Sequence, residues 1–373
     1  MSETSSEKVI LAQARISRLK KDSRRSLPSR PIPDQVGDDI EGGNDGNRGN
    51  ILSRIGKTPL IPLMKIGREF PGVLILAKAE WFNPGGSVKD RAAAHIVDSA
   101  ERQGLLTPDR ILLDATSGNT GVAYAMIGSA RGYQVTLCVP ANASPEILKT
   151  MKAYGAEVVL TNPLESSDGA IRQAQRLARE APEKYFYADQ YNNPANWQAH
   201  YQTTGPEIWD QTQGQVTHLV AGVGTSGTLM GTGRFLKEKN PLIQVVEVQP
   251  DAPLHGLEGL KHMASSIVPG IYEPQFPDLN LEVKTEEAYA MVKRLAQEEG
   301  LLAGISSGAI LAAALETARR IETGVTPPPA LSAKGGSASS RPAPNGAKSG
   351  GGVIVVIFPD GGSRYLDEQF WRE

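Results

Sequence analysis

Apolar and polar positions alternate along the chain in two patterns. Short runs rich in β-branched residues, "GVLILAKAEW", "RILLDATSG", "QVTLCVP", "AEVVLT", "KYFYADQ", "THLVAGVG", "IQVVEVQP" and "GGVIVVIFPD", have the length and composition of buried strands. Between them lie helical candidates over 92–104, 121–132, 145–155, 168–181, 229–239, 285–300 and 308–322. A helix between two strands carries the chain back across the sheet, so the strands it joins run parallel. The pattern predicts an α/β fold of mainly parallel, twisted sheets with helices on both faces, and ligands at the carboxyl ends of the strands.

Two stretches break the alternation. Residues 1–50 are rich in Ser, Arg, Asp, Gly and Pro without a sustained apolar run, and read as a disordered tail that cannot offset its ordering entropy. Within it, "VILAQARISRL" can form a transient amphipathic helix, and the basic residues from Arg15 to Arg25 read as a solvated face. Glu3, Glu7 and the missing apolar h-region argue against a secretory or transit peptide. Residues 326–352, Pro-, Gly- and Ser-rich, read as a flexible low-complexity insertion before the last strand.

Composition then narrows the function. The 373 residues suffice for two core-forming units. No apolar run approaches a membrane span, and a net charge of −2 gives no general attraction to nucleic acid, so neither partner is expected. The single cysteine, Cys138, excludes an internal disulfide, suits a reducing cytoplasm and sits in an apolar strand as a core residue would. The five histidines show no metal-ligand spacing, so no metal is expected.

Three loops carry candidate chemistry. In "NPGGSVKDRAA" (83–93), turn residues precede an Ala-rich helix and place Lys89 at or near its N-terminus. That end favours anions, so a lysine there is either a solvated surface residue or an amine with a depressed pKa that can act as a nucleophile. "DATSGNTGVAYA" ends a strand with Thr116, Ser117, Asn119 and Thr120 around two glycines, a turn that suits a small carboxylate or serves as an ordinary helix cap. In "VAGVGTSGTLMGTG", Gly224, Thr225, Ser226, Gly227 and Thr228 form a phosphate cradle at a helix N-terminus, without the Lys-Ser or Lys-Thr ending of a P-loop. Asp360, after the last strand, is either a turn residue or a partner for a cationic ring nitrogen.

A lysine turn, a carboxylate loop and a nucleotide-free phosphate cradle together describe pyridoxal phosphate held as a Schiff base. The motifs "NPGGSVKDR", "TSGNTG", "NPAN…TTGPEIW", "GTSGTLMGTGRFLK", "GISSGA" and "RYL", in this order over residues 51–365, resemble the cysteine synthases, or O-acetylserine sulfhydrylases, of the tryptophan-synthase-β-like class. Ser226 in "GTSGT" and Asp360 in "FPDGG" are similar to the B-type isozymes. The resemblance implies two α/β domains, each a mainly parallel twisted sheet with helices on both faces: a smaller one over 51–197, whose first strands can pack on the larger, and a larger one over 198–373. It also implies that Lys89 is the Schiff-base lysine and general base, and that Asn119 bonds the ring hydroxyl. Gly224 to Thr228 would hold the phosphate, and Asp360 would face the ring nitrogen. Thr116, Ser117, Thr120 and Gln190 would bind the substrate carboxylate.

The implied reaction is β-replacement on O-acetyl-L-serine, or O-phospho-L-serine, by sulfide or another sulfur donor through an α-aminoacrylate to give L-cysteine. Lys261 stands about where some B-type relatives have an arginine that contacts the leaving group, and reads either as that contact or as a surface lysine. A homodimer is implied, with a serine acetyltransferase tail or a sulfur-carrier protein as further partners. The alternatives are cystathionine β-synthase, which needs a wider thiol pocket, and a catalytically silent scaffold that binds a partner's C-terminal peptide. An intact Lys89 favours catalysis over the scaffold.

Overall fold

The computed structural model describes residues 50–325 and 352–372; the expected disordered tail 1–50 and flexible insertion 326–352 lie outside them except at their ends, where Asn50 caps a 3-10 turn and Gly352 is already in the last strand. In chain order the strands are β1 (Leu60–Pro62), β2 (Val73–Ala79), β3 (Ile111–Ala115), β4 (Val135–Pro140), β5 (Glu157–Thr161), β6 (Tyr185–Tyr187), β7 (His218–Gly222), β8 (Gln244–Pro250), β9 (Leu279–Val283) and β10 (Gly352–Phe358). The helices are α1 (Lys89–Arg102), α2 (Asn119–Arg131), α3 (Pro145–Ala153), α4 (Ser166–Glu180), α5 (Pro194–Ala199), α6 (Gly205–Gln211), α7 (Gly227–Lys239), α8 (Thr285–Arg294) and α9 (Ile305–Glu322).

Six strands form one sheet in the order β1-β2-β10-β7-β8-β9, and four form a second in the order β5-β4-β3-β6. Only β1 and β2 pair antiparallel; every other pairing is parallel, as strand–helix alternation requires. The chain therefore starts in the larger sheet, builds the smaller one from β3 to β6, and returns. Although 60–79 precede the smaller sheet in sequence, they pair with β10 in the larger one.

Side-chain alternation assigns each strand's residues to two cores. On β10, Ile354, Val356 and Phe358 join one core with Ala309, Leu311 and Ala313 of α9. Val355 and Ile357 join the opposite one with Leu229, Met230 and Leu236 of α7. In the smaller sheet Leu112 and Leu137 pack with Ile96 of α1 and Ile127 of α2, whereas Leu113 and Cys138 pack with Ala170 and Ala174 of α4. Burial raises the Cys138 thiol to about 12, which fits a core residue and not a nucleophile.

The carboxyl ends of β3, β7 and β10 converge on one region, and β10 fixes two of its loops. Val88 N–H donates to the Pro359 carbonyl at 2.8 Å and Gly304 N–H to the Asp360 carbonyl at 3.0 Å. The lysine turn and the start of α9 are thus both hung on the last strand.

Candidate active site

The lysine turn comes first. Lys89 opens α1, three residues earlier than the apolar pattern predicted, because Gly86 turns the chain at φ +79° and Asp90 Oδ2 accepts from Gly85 N–H at 2.5 Å. Burial lowers the Lys89 pKa and Asp360 opposes the shift only in part, so its amine is biased toward the neutral form. Beneath the turn lies a charge network. Arg91 binds Glu80 at 2.7 and 2.9 Å and Glu207 at 2.7 and 2.8 Å. Lys78, fully buried, binds Glu207 at 2.6 Å. Glu80 Oε2 also accepts from Asn83 Nδ2 at 2.8 Å, which couples these charges to the first residue of the turn.

In the loop after β3, Thr116 Oγ1 accepts from Gly118 and Gly121 N–H at 3.0 and 3.1 Å, so it braces the start of α2. Thr120 Oγ1 donates to Gln190 Oε1 at 2.8 Å, and Gln190 Nε2 donates to the Ala115 carbonyl at 2.7 Å. Ser117 is exposed. Asn119 Nδ2 donates to Asp360 Oδ2 at 2.7 Å, and Arg364 bridges Asn119 Oδ1 to the Gly85 carbonyl.

The loop after β7 forms a nest of N–H groups at the start of α7, with Ser226 held at φ +69°. Its glycines are demanded by close approach: a Cβ on Gly224 would overlap the Gly259 carbonyl, and one on Gly227 would overlap Asn196 Oδ1. Asn196 also donates to Thr225 Oγ1 at 3.1 Å, and His200 Nε2 lies 3.3 Å from Thr228 Oγ1. Burial lowers His200 to about 3, so it is neutral at ordinary pH.

These loops enclose two adjoining cavities. The larger, about 320 Å³, is lined by Lys89, Thr116, Ser117, Asn119, Thr120, Gln190, Gly224, Thr225 and Lys261 among others. The smaller, about 40 Å³, is lined by Lys89, Asn119, Gly224, Thr225, Ser226 and Thr228. Gly227 and Asp360 line neither: Gly227 packs on Asn196, and Asp360 lies behind Asn119, its Oδ2 accepting from Tyr365 Oη at 2.6 Å. Lys261 is not a surface lysine. It is buried, with Nζ 2.8 Å from Asp168 Oδ1 and 5.0 Å from the Tyr191 ring centroid.

The family described as "Pyridoxal-phosphate dependent enzyme" matches residues 51–326. The chain belongs to that family. It is 49% identical to the cysteine synthase of Aquifex aeolicus over 321 residues, 86% of this chain and 91% of that protein. It is 38% identical to cysteine synthase B of Salmonella typhimurium, over 86% of this chain and 95% of that protein. The solved cysteine synthase of Entamoeba histolytica aligns with a TM-score of 0.75 at 33% identity, covering 93% of this chain and 94% of that one.

The residues present fit the cofactor of a pyridoxal-phosphate dependent enzyme. Lys89 lines both cavities, and a nest of N–H donors opens on the smaller one. A buried polar atom of the cradle, Ser226 Oγ, has no hydrogen-bond partner among the described residues. Such orphans are costly unless a ligand satisfies them. Burial also raises the Asp360 pKa, so its carboxylate form is held in reserve for a cation placed against it.

Sequence reasoning missed several of these groups. Arg364 and Tyr365 lie in the quoted "RYL", yet no spacing rule shows that they reach back to Asn119 and Asp360. His200, in a π-helical segment between α5 and α6, carries no signal beyond a buried position in "NPAN…TTGPEIW". Glu258, which lines both cavities, sits in a loop without regular structure.

Proposed function

We propose that this pyridoxal-phosphate dependent enzyme is a cysteine synthase that replaces the acyl ester of O-acetyl-L-serine with a sulfur nucleophile to give L-cysteine. The observation that carries the reading is Lys89, an amine with its pKa lowered by burial, in one cavity with the Thr116–Thr120 loop and beside the phosphate cradle. The cysteine synthase relatives support the same activity. Pyridoxal phosphate, when bound, supplies an electron-withdrawing ring that acidifies the α-carbon proton of an amino acid.

The chain's own residues divide the remaining work. Lys89 would hold the cofactor through its amine, and that amine, in its neutral form, would take the Cα proton and later return it. Gly224, Thr225, Ser226 and Thr228 would hold the phosphate at the start of α7, with Gly227 completing the loop against Asn196. Thr116, Ser117, Thr120 and Gln190 bind the substrate carboxylate, and the bonds joining Thr120, Gln190 and Ala115 fix its direction. Asn119 orients the ring by its hydroxyl. Asp360 would supply a counter-charge to the ring nitrogen.

The lining favours an acetyl ester over a phosphate ester. Lys261 is already matched by Asp168, and Glu258 and Glu368 line the same cavity. With Asp168 on Lys261, the cavity lining offers a phosphate dianion no unpaired cation besides Lys89 among the described residues, and a neutral ester needs none. We further infer a cytoplasmic homodimer. Its cavity would also admit a partner's C-terminal peptide, such as a serine acetyltransferase tail, or that of a sulfur-carrier protein.

The test is the visible absorption of the cofactor-loaded chain. O-acetyl-L-serine is expected to shift the band and sulfide to restore it, with ping-pong kinetics and release of cysteine. Lys89→Ala is expected to lose covalent cofactor linkage and turnover. A larger response to O-phospho-L-serine would overturn the leaving-group assignment. Turnover of serine with homocysteine, and none of either ester, would replace the reading with cystathionine synthesis.

A further inference from the structure

Lys89 and Glu258 are the only titratable residues that line the smaller cavity among the described residues. Glu258 lines the larger one as well, so it stands where the two meet. Its carboxylate makes no hydrogen bond or ion pair with any described residue, in contrast to Lys261, which Asp168 holds, and His255, whose Nδ1 accepts from Leu257 N–H at 3.2 Å. The loop that carries it is pinned. Lys261 N–H donates to the Val223 carbonyl at 2.8 Å, Leu260 N–H to the Leu257 carbonyl at 3.1 Å, and Gly259, at φ +84°, packs its carbonyl on Gly224 of the phosphate cradle.

The nearby charges all act in one direction. Glu258 is exposed at the cavity wall, and desolvation of its carboxyl there, with the charges of Glu368 and then Asp360, moves it up to about 7. Burial, with a smaller contribution from the Glu258 charge, raises Tyr289 and Tyr365 so that they stay protonated. A carboxyl that titrates near neutrality exchanges protons most efficiently at ordinary pH.

We propose that Glu258 is a second catalytic acid–base group, which takes the proton of the incoming sulfur nucleophile while Lys89 handles the α-carbon proton. The assignment rests on the β-replacement reading above. As the S–H proton passes to the Glu258 carboxylate, the sulfur lone pair forms the C–S bond at the β-carbon, from which the acyl group has already left as a carboxylate. Lys89 returns its proton to the α-carbon, and Glu258 releases the sulfur's proton to solvent. No oxidant or reductant is needed.

The experiment measures the two half-reactions separately on the loaded enzyme, with an alkyl thiol whose own pKa lies well above neutrality. In the wild type the thiol step is expected to rise with pH and level off above about pH 7, as a base of that pKa requires. Glu258→Gln is expected to slow the thiol step at least tenfold relative to the ester step and to lose that inflection, and Glu258→Asp to recover part of both. Carbon-13 NMR of the labelled side-chain carboxyls gives a readout independent of turnover: one resonance absent from Glu258→Gln should titrate near neutral pH. If the ester step proceeds but Glu258→Gln keeps the thiol rate and pH profile within twofold, or if the Glu258 resonance titrates below about pH 5, the acid–base assignment is overturned. If the ester produces no change in the wild type, the β-replacement reading fails, and this assignment falls with it.

Discussion

Replacing Arg91 with leucine tests how the lysine turn is held. Arg91 and Glu80 are 1% and 0% exposed, and Glu207 is 18% exposed. Arg91 and Lys78 stand against Glu80 and Glu207, so removing the guanidinium leaves two carboxylates facing one ammonium. Breaking one side of a buried ion pair costs about 3–5 kcal/mol. Glu80 keeps two neutral donors, Thr58 Oγ1 at 2.7 Å and Asn83 Nδ2 at 2.8 Å, which places the loss at the lower end. We expect about 3 kcal/mol, roughly a 150-fold fall in the folding constant, by urea unfolding of the cofactor-free chain.

The sign of the pH dependence follows from the same groups. Against desolvation, Arg91 holds the Glu80 pKa below its usual value, and Glu207 sits at about 2. Depressed carboxylates contribute stability that is present above their unfolded pKa and lost as the pH falls through the folded one. The difference between wild type and Arg91→Leu should therefore be full at neutral pH and shrink below about pH 4. The double variant Arg91→Leu with Glu80→Gln should be less destabilised than the single one. A loss under about 1 kcal/mol, or additive effects of the two changes, would refute the network as the support of the turn.

Two further changes probe the cofactor site. Ser226→Ala removes a buried hydroxyl that has no partner among the described residues, so the cofactor-free chain should gain up to about 1 kcal/mol while its affinity for pyridoxal phosphate falls severalfold; equilibrium titration showing unchanged affinity would remove Ser226 from the cradle. Asp360→Asn should lower turnover at least tenfold. Because burial raises the Asp360 pKa, the wild-type chain without cofactor loses stability as pH rises through it, and the variant's stability–pH curve should be shallower there.

Most of the architecture was readable one element at a time. Eight of the ten described strands coincide with the quoted apolar runs: a buried parallel strand is apolar on both faces, and the edge strand β5, though no residue of it is buried, keeps the run Val158–Leu160. β1 and β9 escaped for the opposite reason. β1 is three half-buried residues ending in proline, and β9 is a half-exposed edge strand, so neither forms an apolar run. The short helices α5 and α6, joined by a π-helical turn, were likewise below the length at which helical spacing is distinguishable.

The sequence by itself determined the strand–helix alternation, the three glycine-rich loops at strand ends and the residues they carry, because each is written in local propensity and turn chemistry. The tertiary structure alone decided which of those residues meet. Asp360 reaches Asn119 across 241 positions, Arg364 spans 279 to Gly85, and Lys261 finds Asp168 across 93. The same holds for Glu258, whose place between the cavities follows from the packing of Gly259 on Gly224. Contacts at such separations are set by strand order and helix packing, and a carboxylate's partners, burial and pKa exist only once those are in place.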